Sequence, residues 1–232
     1  MKKAILLTIS LMFSISFCFG QQINQTDARG RKQGIWEKNY SNGAVRYTGQ
    51  FKDNHPYGVF KYYFPTGKIS AVLVYSHNGT VAHIKSYHLN GKLMATGKFV
   101  DRKKDSVWNY YRETDGKLVA KESYLNGKKD GKAIVFYPSS GTPAEIIHFK
   151  KGLKDGEWLK YFPNNRIYIH GFYHDDTLEG PYKVYGIDGH IQIEGRYLKG
   201  LQNGTWITYD STGKILYKQF FKQGVLVKKI KP

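Results

Sequence analysis

The residue types that most often carry chemistry are sparse in this chain and poorly placed for it. His170 and His174 stand four apart, with Asp175 and Asp176 next to them. On a helix that spacing would align two imidazoles for a metal. Along an extended strand the same residues lie about 13 Å apart, and a metal site needs converging ligands. We therefore expect no metal. His83 and His88, five apart, fare no better. The single cysteine, Cys18, precludes any disulfide within one chain and any Cys-x-x-Cys motif. There is no Gly-rich phosphate loop at a strand-to-helix junction and no His-Glu-x-x-His, and no local context singles out a serine–histidine–carboxylate set. With only 18 acidic residues, most of them in turn-like segments, paired carboxylates are also scarce. The expectation is a protein without catalytic residues or cofactors.

Cations and rings are abundant instead. Thirty-six Lys and Arg give a formal net charge of +18, and 16% of the residues are aromatic. The cations gather in short polar connections, with Arg102, Lys103 and Lys104 in one, Lys128 and Lys129 in the next, and Lys150, Lys151 and Lys154 in a third. If those connections lie on one side of the molecule their fields add, and the edge would attract an acidic partner or anionic surface. These eight residues are the candidate binding set.

The rings follow a strict repeat. The column Trp36, Phe60, Ile84, Trp108, Ala133, Trp158, Tyr182 and Trp206 advances in steps of 24, 24, 24, 25, 25, 24 and 24. Two residues before each sits Gly, Ala or Ser. A turn column follows at Gly43, Gly67, Gly91, Gly116, Gly141, Asn165, Gly189 and Gly213, residue types that tolerate positive φ. Eight residues beyond each turn is a second ring, from Phe51 and Tyr75 to Tyr197 and Phe221. Period-two alternation after each turn, as in Ile191, Ile193 and Tyr197, makes that segment a strand with one apolar face. At Gly49, Gly97, Gly171 and Gly195 the apolar face carries glycine, which would let a neighbouring ring lie on the backbone.

Each unit thus reads as a β-hairpin. A lone hairpin cannot bury its apolar face, so neighbours must stack. The expected fold is all-β: an elongated antiparallel meander of about eight stacked hairpins and about 16 strands, forming a single twisted or curved sheet. Trp36, Phe60, Trp108, Trp158, Tyr182 and Trp206 would be its structural anchors. Whether a ring three residues after the anchor, such as Tyr161 after Trp158, shares the anchor's face through a bulge or lies on the other face stays open. We divide the chain into residues 1–20, a signal peptide; 21–33, a leader; and 34–232, the repeat array, with 225–230 as a terminal cap. The signal assignment rests on Lys2 and Lys3, an apolar run from Ala4 to Phe17 too short to span a bilayer, and Gly20 before a polar turn. Cleavage near Gly20 would export the chain to the periplasm, outer envelope or exterior. Bulky Phe17 argues against lipidation of Cys18.

Gly156-Glu157-Trp158-Leu159-Lys160-Tyr161 and Gly204-Thr205-Trp206-Ile207-Thr208-Tyr209 resemble the G-x-W-x-x-Y signature of the MORN repeat, in the bacterial variant of the YwqK-like antitoxin family. Lys128-Lys129-Asp130-Gly131, Leu153-Lys154-Asp155-Gly156 and Gly30 to Trp36 resemble its inter-repeat turn. The resemblance covers residues 27–221. It implies stacked hairpins, a scaffold or binding module without catalytic residues, phospholipid association in some members, and an antitoxin role in the bacterial variant. An export signal fits an immunity-like, envelope or surface-binding role better than a cytoplasmic antitoxin. The expected partner is a protein, unidentified, and the alternative is an anionic membrane lipid or acidic glycan. Nucleic acid is not expected for an exported chain, and the sequence does not reveal an oligomeric state.

Overall fold

A computed structural model describes residues 22–231; the expected signal segment and Cys18 lie outside the described residues. The hairpins are arranged as the periodicity requires. Unit 1 is β2 (Lys32–Asn39) and β3 (Val45–Lys52), unit 2 is β4 (His55–Tyr63) and β5 (Ile69–Ser76), and unit 3 is β6 (Val81–Tyr87) and β7 (Leu93–Val100). Unit 4 is β8 (Lys103–Tyr111) and β9 (Leu118–Leu125), unit 5 is β10 (Lys128–Phe136) and β11 (Pro143–Lys150), and unit 6 is β12 (Leu153–Tyr161) and β13 (Ile167–His174). In unit 7 the first strand is split into β14 (Thr177–Leu178) and β15 (Gly180–Tyr185), followed by β16 (Ile191–Leu198); unit 8 is β17 (Leu201–Tyr209) and β18 (Ile215–Lys222). Consecutive strands pair antiparallel in chain order, forming one open, curved sheet.

Among the described residues the strands number nineteen rather than about sixteen. The extra three are the split in unit 7, β19 (Val225–Ile230) along β18, and β1 (Gln25–Thr26) along the start of β2. Part of the supposed leader is therefore sheet, and the first repeat strand starts at Lys32, ahead of Gly34.

The small residue two before each anchor has a backbone cause. Where one unit meets the next, three residues of the incoming strand oppose one residue of the outgoing strand. Gly58, Val59 and Phe60 face Gly49, flanked by the pairs Tyr57–Gln50 and Lys61–Thr48. The bulge carries positive φ, at its first residue in Gly58 (+64°) and Gly204 (+73°) and at its middle residue in Gly131 (+94°) and Gly156 (+110°). Ser106 takes the same conformation at +58° without being glycine. Ala82 does not: β5 and β6 pair without a register shift, and the irregularity moves into a 3₁₀ turn at His77–Gly79.

The two 25-residue steps have an equally local origin. Hairpin turns closed by a backbone pair span Phe64 to Lys68 or Phe162 to Arg166 in ordinary units, but Arg112 to Lys117 and Tyr137 to Thr142 in units 4 and 5. The added residue sits in the loop, so strand register is untouched. The inter-unit turns form a rail along the opposite edge: the N–H groups of Gly127, Gly152, Asp176 and Gly200 donate to the carbonyls of Lys104, Lys129, Lys154 and Leu178.

The core is one layer of rings on a single sheet face. Phe60, Trp108 and Trp206 are 2%, 4% and 5% exposed, whereas Trp36 and Trp158 are only half-buried. Each ring needs room on the strand before it. A Cβ at Gly49, Gly97 or Gly195 would lie 2.3, 2.2 or 2.2 Å from Phe60, Trp108 or Trp206, and Gly171 similarly faces Tyr182. Where the outgoing strand carries a large residue the next anchor is smaller, as with Ala133 opposite Glu122 and Ile84 opposite Leu73, or is a ring left half-buried, as with Trp158 opposite Ile147. Rings three after the anchor lie on the other face: Tyr209 donates to Glu194 Oε1 at 2.6 Å, and Glu194 pairs with Ile207, next to Trp206 in sequence. Both faces therefore carry rings.

Candidate functional site

The eight candidate cations all start from the inter-unit edge, yet they divide into two sets. Arg102, Lys103, Lys128, Lys150 and Lys151 are exposed along that edge. Lys104, Lys129 and Lys154 turn inward over the aromatic face. Lys104 Nζ lies 4.5, 5.2 and 5.0 Å from the ring centroids of Trp108, Tyr110 and Tyr124, and it donates to Tyr110 Oη at 2.8 Å. Lys129 lies 5.0 Å from Phe149 and Lys154 4.9 Å from Tyr173. Ring faces carry negative quadrupole potential, so an ammonium over them is held electrostatically. These three lysines belong to the packing of the sheet rather than to a free cationic rim. A fourth, Lys32, sits 4.5 Å from Trp36 and 4.8 Å from Phe51. The signal that would have separated the two sets is positional, since Lys32, Lys104, Lys129 and Lys154 all stand four residues before an anchor.

Around units 4 and 5 the inward lysines join a polar network. Lys129 Nζ is 2.7 Å from Glu122 Oε1, and Tyr124 donates to Glu122 Oε2 at 2.6 Å. Burial alone would raise the Glu122 carboxyl, but the hydrogen bonds from Lys129 and Tyr124 outweigh it and hold Glu122 below its ordinary range. Burial, then the bond to Glu122, raises the Tyr124 hydroxyl. The Glu194 carboxylate likewise pushes Tyr209 up to about 12. The group is a satisfied structural network.

The same three-ring arrangement occurs in unit 2. Phe60 and Tyr62 stack at 6.5 Å and 27°, matching Trp108 and Tyr110 at 6.4 Å and 28°. Phe60 meets Tyr75 at 71° and 5.0 Å, where Trp108 meets Tyr124 at 71° and 6.4 Å. Here Pro56 occupies the position of Lys104, and the rings line a cleft of about 580 Å³ walled by the turns around Asn54, Asn78 and Arg102. A smaller hollow at Leu73, Ala82 and Phe99 adjoins it and shares Tyr75 and Arg102.

The opposite sheet face was not singled out from sequence. Its ladder runs Lys61–Val72–Lys85–Thr96, and the next row runs Val59–Val74–His83–Lys98. Val74 and Val107 are 47% and 50% exposed. They line a depression of about 710 Å³ with Val72, His83, Lys85 and Lys98. It lies behind Gly97, where the bulge bends the backbone. Lys98 pairs with Asp105 at 3.0 Å, and this contact, with the Ser106 hydroxyl, lowers the Asp105 carboxyl.

His174 converges with Asp155 and Asp175, not with His170: its Nδ1 is 3.0 Å from Asp155 Oδ2, and ligand atoms of the three lie within 4.8 Å of one another on an exposed turn. Asp155 comes from the preceding inter-unit turn, a neighbour invisible in local spacing. Asp176 accepts the Lys154 backbone N–H at 2.8 Å. His170 Nε2 is 3.0 Å from Glu157 Oε1. His83 lies on the opposite face, while His88 Nε2 reaches the Tyr111 carbonyl at 3.1 Å, tying one hairpin turn to the next.

Residues 32–53, 56–77 and 202–223 each match the family model described as "MORN repeat variant". They fall on units 1, 2 and 8. No curated protein matches the chain. Among solved structures, the chain is similar to one described as the crystal structure of TarM, at 18% identity over 47% of this chain and 19% of that one, with a TM-score of 0.26. It is also similar to an S. aureus TarM mutant in complex with Fondaparinux, alpha-GlcNAc-glycerol and UDP, at 16% identity over 60% of this chain and 22% of that one, TM-score 0.26. The chain spans about a fifth of the length of these two proteins, and likenesses this loose carry no argument about function.

Proposed function

We propose that the chain is an exported, non-catalytic repeat scaffold that binds a protein partner on the sheet face opposite the anchor rings. The observation that carries this reading is the depression behind Gly97, where half-exposed Val74 and Val107 sit among Lys85, Lys98 and His83. Exposed apolar groups ringed by cations on a pre-formed sheet suit an acidic segment that brings apolar side chains of its own. The three matched MORN-variant segments support a scaffold built of repeats. With a signal segment at residues 1–20, the partner would be met in the envelope or outside the cell, where an immunity-like role resembling that of the antitoxin family finds its place. The test is affinity purification from the native cell with the parent chain and with Val74→Asp/Val107→Asp in parallel. One defined protein retained by the parent and lost with the variant is the expected result. Equal recovery of the same proteins by both chains would remove this face from the account.

A second reading rests on a separate observation, the line of exposed Arg102, Lys103, Lys128, Lys150 and Lys151 on the inter-unit edge. That edge would bind anionic lipid or acidic glycan, with an attraction screened steeply by salt. Replacing these five residues with Glu leaves the inward lysines in place and should abolish binding to anionic vesicles. Unchanged binding would dismiss the edge.

A further inference from the structure

The two three-ring cages differ in one respect that bears on binding. A tyrosine two residues after the anchor occurs only in units 2 and 4, as Tyr62 and Tyr110, so only these units close an anchor ring and two tyrosines around one point. In unit 4 the point is occupied by the ammonium of Lys104. In unit 2 the anchor and Tyr62 keep the spacing and angle of Trp108 and Tyr110, Tyr75 keeps the angle of Tyr124 but stands closer, at 5.0 Å from Phe60 against 6.4 Å, and Pro56 replaces the lysine beside an open cleft. The chain thus displays, within itself, what the cage of unit 2 is shaped to hold. Arg102 and Asp101 both line the same cleft, so it offers charges of both signs beside the rings, and a ligand carrying an anionic group next to its ammonium would meet both.

We propose that the cleft of unit 2 is a binding site for a zwitterionic organic ammonium, with the ammonium against Tyr62 and Tyr75 and its anionic group at Arg102. The site lies on the ring-bearing face and is independent of any partner held on the other face. Phe60 is nearly covered, so contact falls mainly on the two tyrosines.

Phosphocholine is the probe, with choline and inorganic phosphate as its two halves, titrated against the full chain by NMR. Phosphocholine should bind saturably at one site, with choline about tenfold weaker and phosphate alone weaker still. Pro56→Lys installs the counterpart of Lys104 and should cut phosphocholine affinity by about tenfold or more, in line with about 1–2 kcal/mol for a desolvated cation–π contact. Arg102→Gln, at an exposed position, should leave choline binding unchanged and erase the advantage of phosphocholine over choline. Lys104→Ala should empty the second cage and raise the stoichiometry from one to two. Phosphate binding as tightly as phosphocholine would overturn the proposal, as would no saturable binding of phosphocholine, or a folded Pro56→Lys chain with unchanged affinity. If Pro56→Lys does not fold, Tyr75→Leu takes its place with the same expected loss, and an unchanged affinity there is equally decisive.

Discussion

At the scale of single residues, stability turns on the fit between a ring and the backbone it crosses. Gly195→Ala would place a methyl 2.2 Å from the Trp206 ring, and we expect an overpacking cost of about 2–3 kcal/mol in urea unfolding. Anchors are not equivalent. Trp206→Ala should cost about 3–5 kcal/mol, as for buried aromatic truncations. Trp158 is half-buried, with Ile147 rather than glycine opposite it on the preceding strand, and its loss should cost about half as much. Equal costs in the same assay would mean that exposure does not grade the spine. Glu122 supplies a pH signature. Its folded carboxyl titrates below the ordinary 4.5, so its contribution is present above that value and disappears as pH falls through the folded titration. The stability difference between the parent and Glu122→Gln should therefore be constant near neutrality and shrink on acidification below about pH 4.5. A difference that persists unchanged to pH 2 would show that the carboxylate charge contributes nothing there.

At the scale of elements, the hairpin loop and the strand respond differently to a change of one residue. Tyr137-Pro138-Ser139-Ser140-Gly141-Thr142 becomes, on deletion of Ser139, the same pattern as Phe64-Pro65-Thr66-Gly67-Lys68. The deletion should change unfolding free energy by less than about 1 kcal/mol, because the five-residue turn already closes the same strands elsewhere. Deleting Lys132 from β10 instead would move every later side chain of that strand, Ala133 to Phe136, to the other face. Loss of the fold on removing Ser139 would show that the longer loop is required for the register of unit 5. The small-residue column likewise marks a bulge, and Ala82 departs from it because the 3₁₀ turn at His77–Gly79 takes up the irregularity of unit 3.

At the scale of the whole molecule, stability should behave as a sum over neighbours. Excising residues 180–203 joins Glu179 to Gly204 and sets Trp206 over Gly171 in place of Tyr182. The shortened chain should fold, keep its circular dichroism per residue, and lose about an eighth of its denaturant m-value, since each unit exposes a similar area. A chain that unfolds outright would reveal cooperation beyond adjacent hairpins. Charge also belongs to this scale. The exposed cations on the edge are interleaved with Asp101, Asp130 and Asp175, whereas Lys61 and Lys85 stand in the open on the face opposite the rings.

What the sequence determined by itself was everything periodic: eight hairpins, their turns, the ring-bearing face, and the glycines on which rings lie, from Gly49 under Phe60 to Gly195 under Trp206. These are legible because alternation and turn chemistry act within a few residues. Neither the inward turn of Lys104, Lys129 and Lys154, nor the convergence of Asp155 on His174, nor the open cage left by Pro56 could be read in the same way. Each depends on a group 19 or 20 residues away, Tyr124 for Lys104, Phe149 for Lys129, Tyr173 for Lys154, His174 for Asp155 and Tyr75 for Pro56, brought alongside by the antiparallel ladder, so the direction of a long side chain is decided by what stands on neighbouring strands, and only the stacked sheet supplies that.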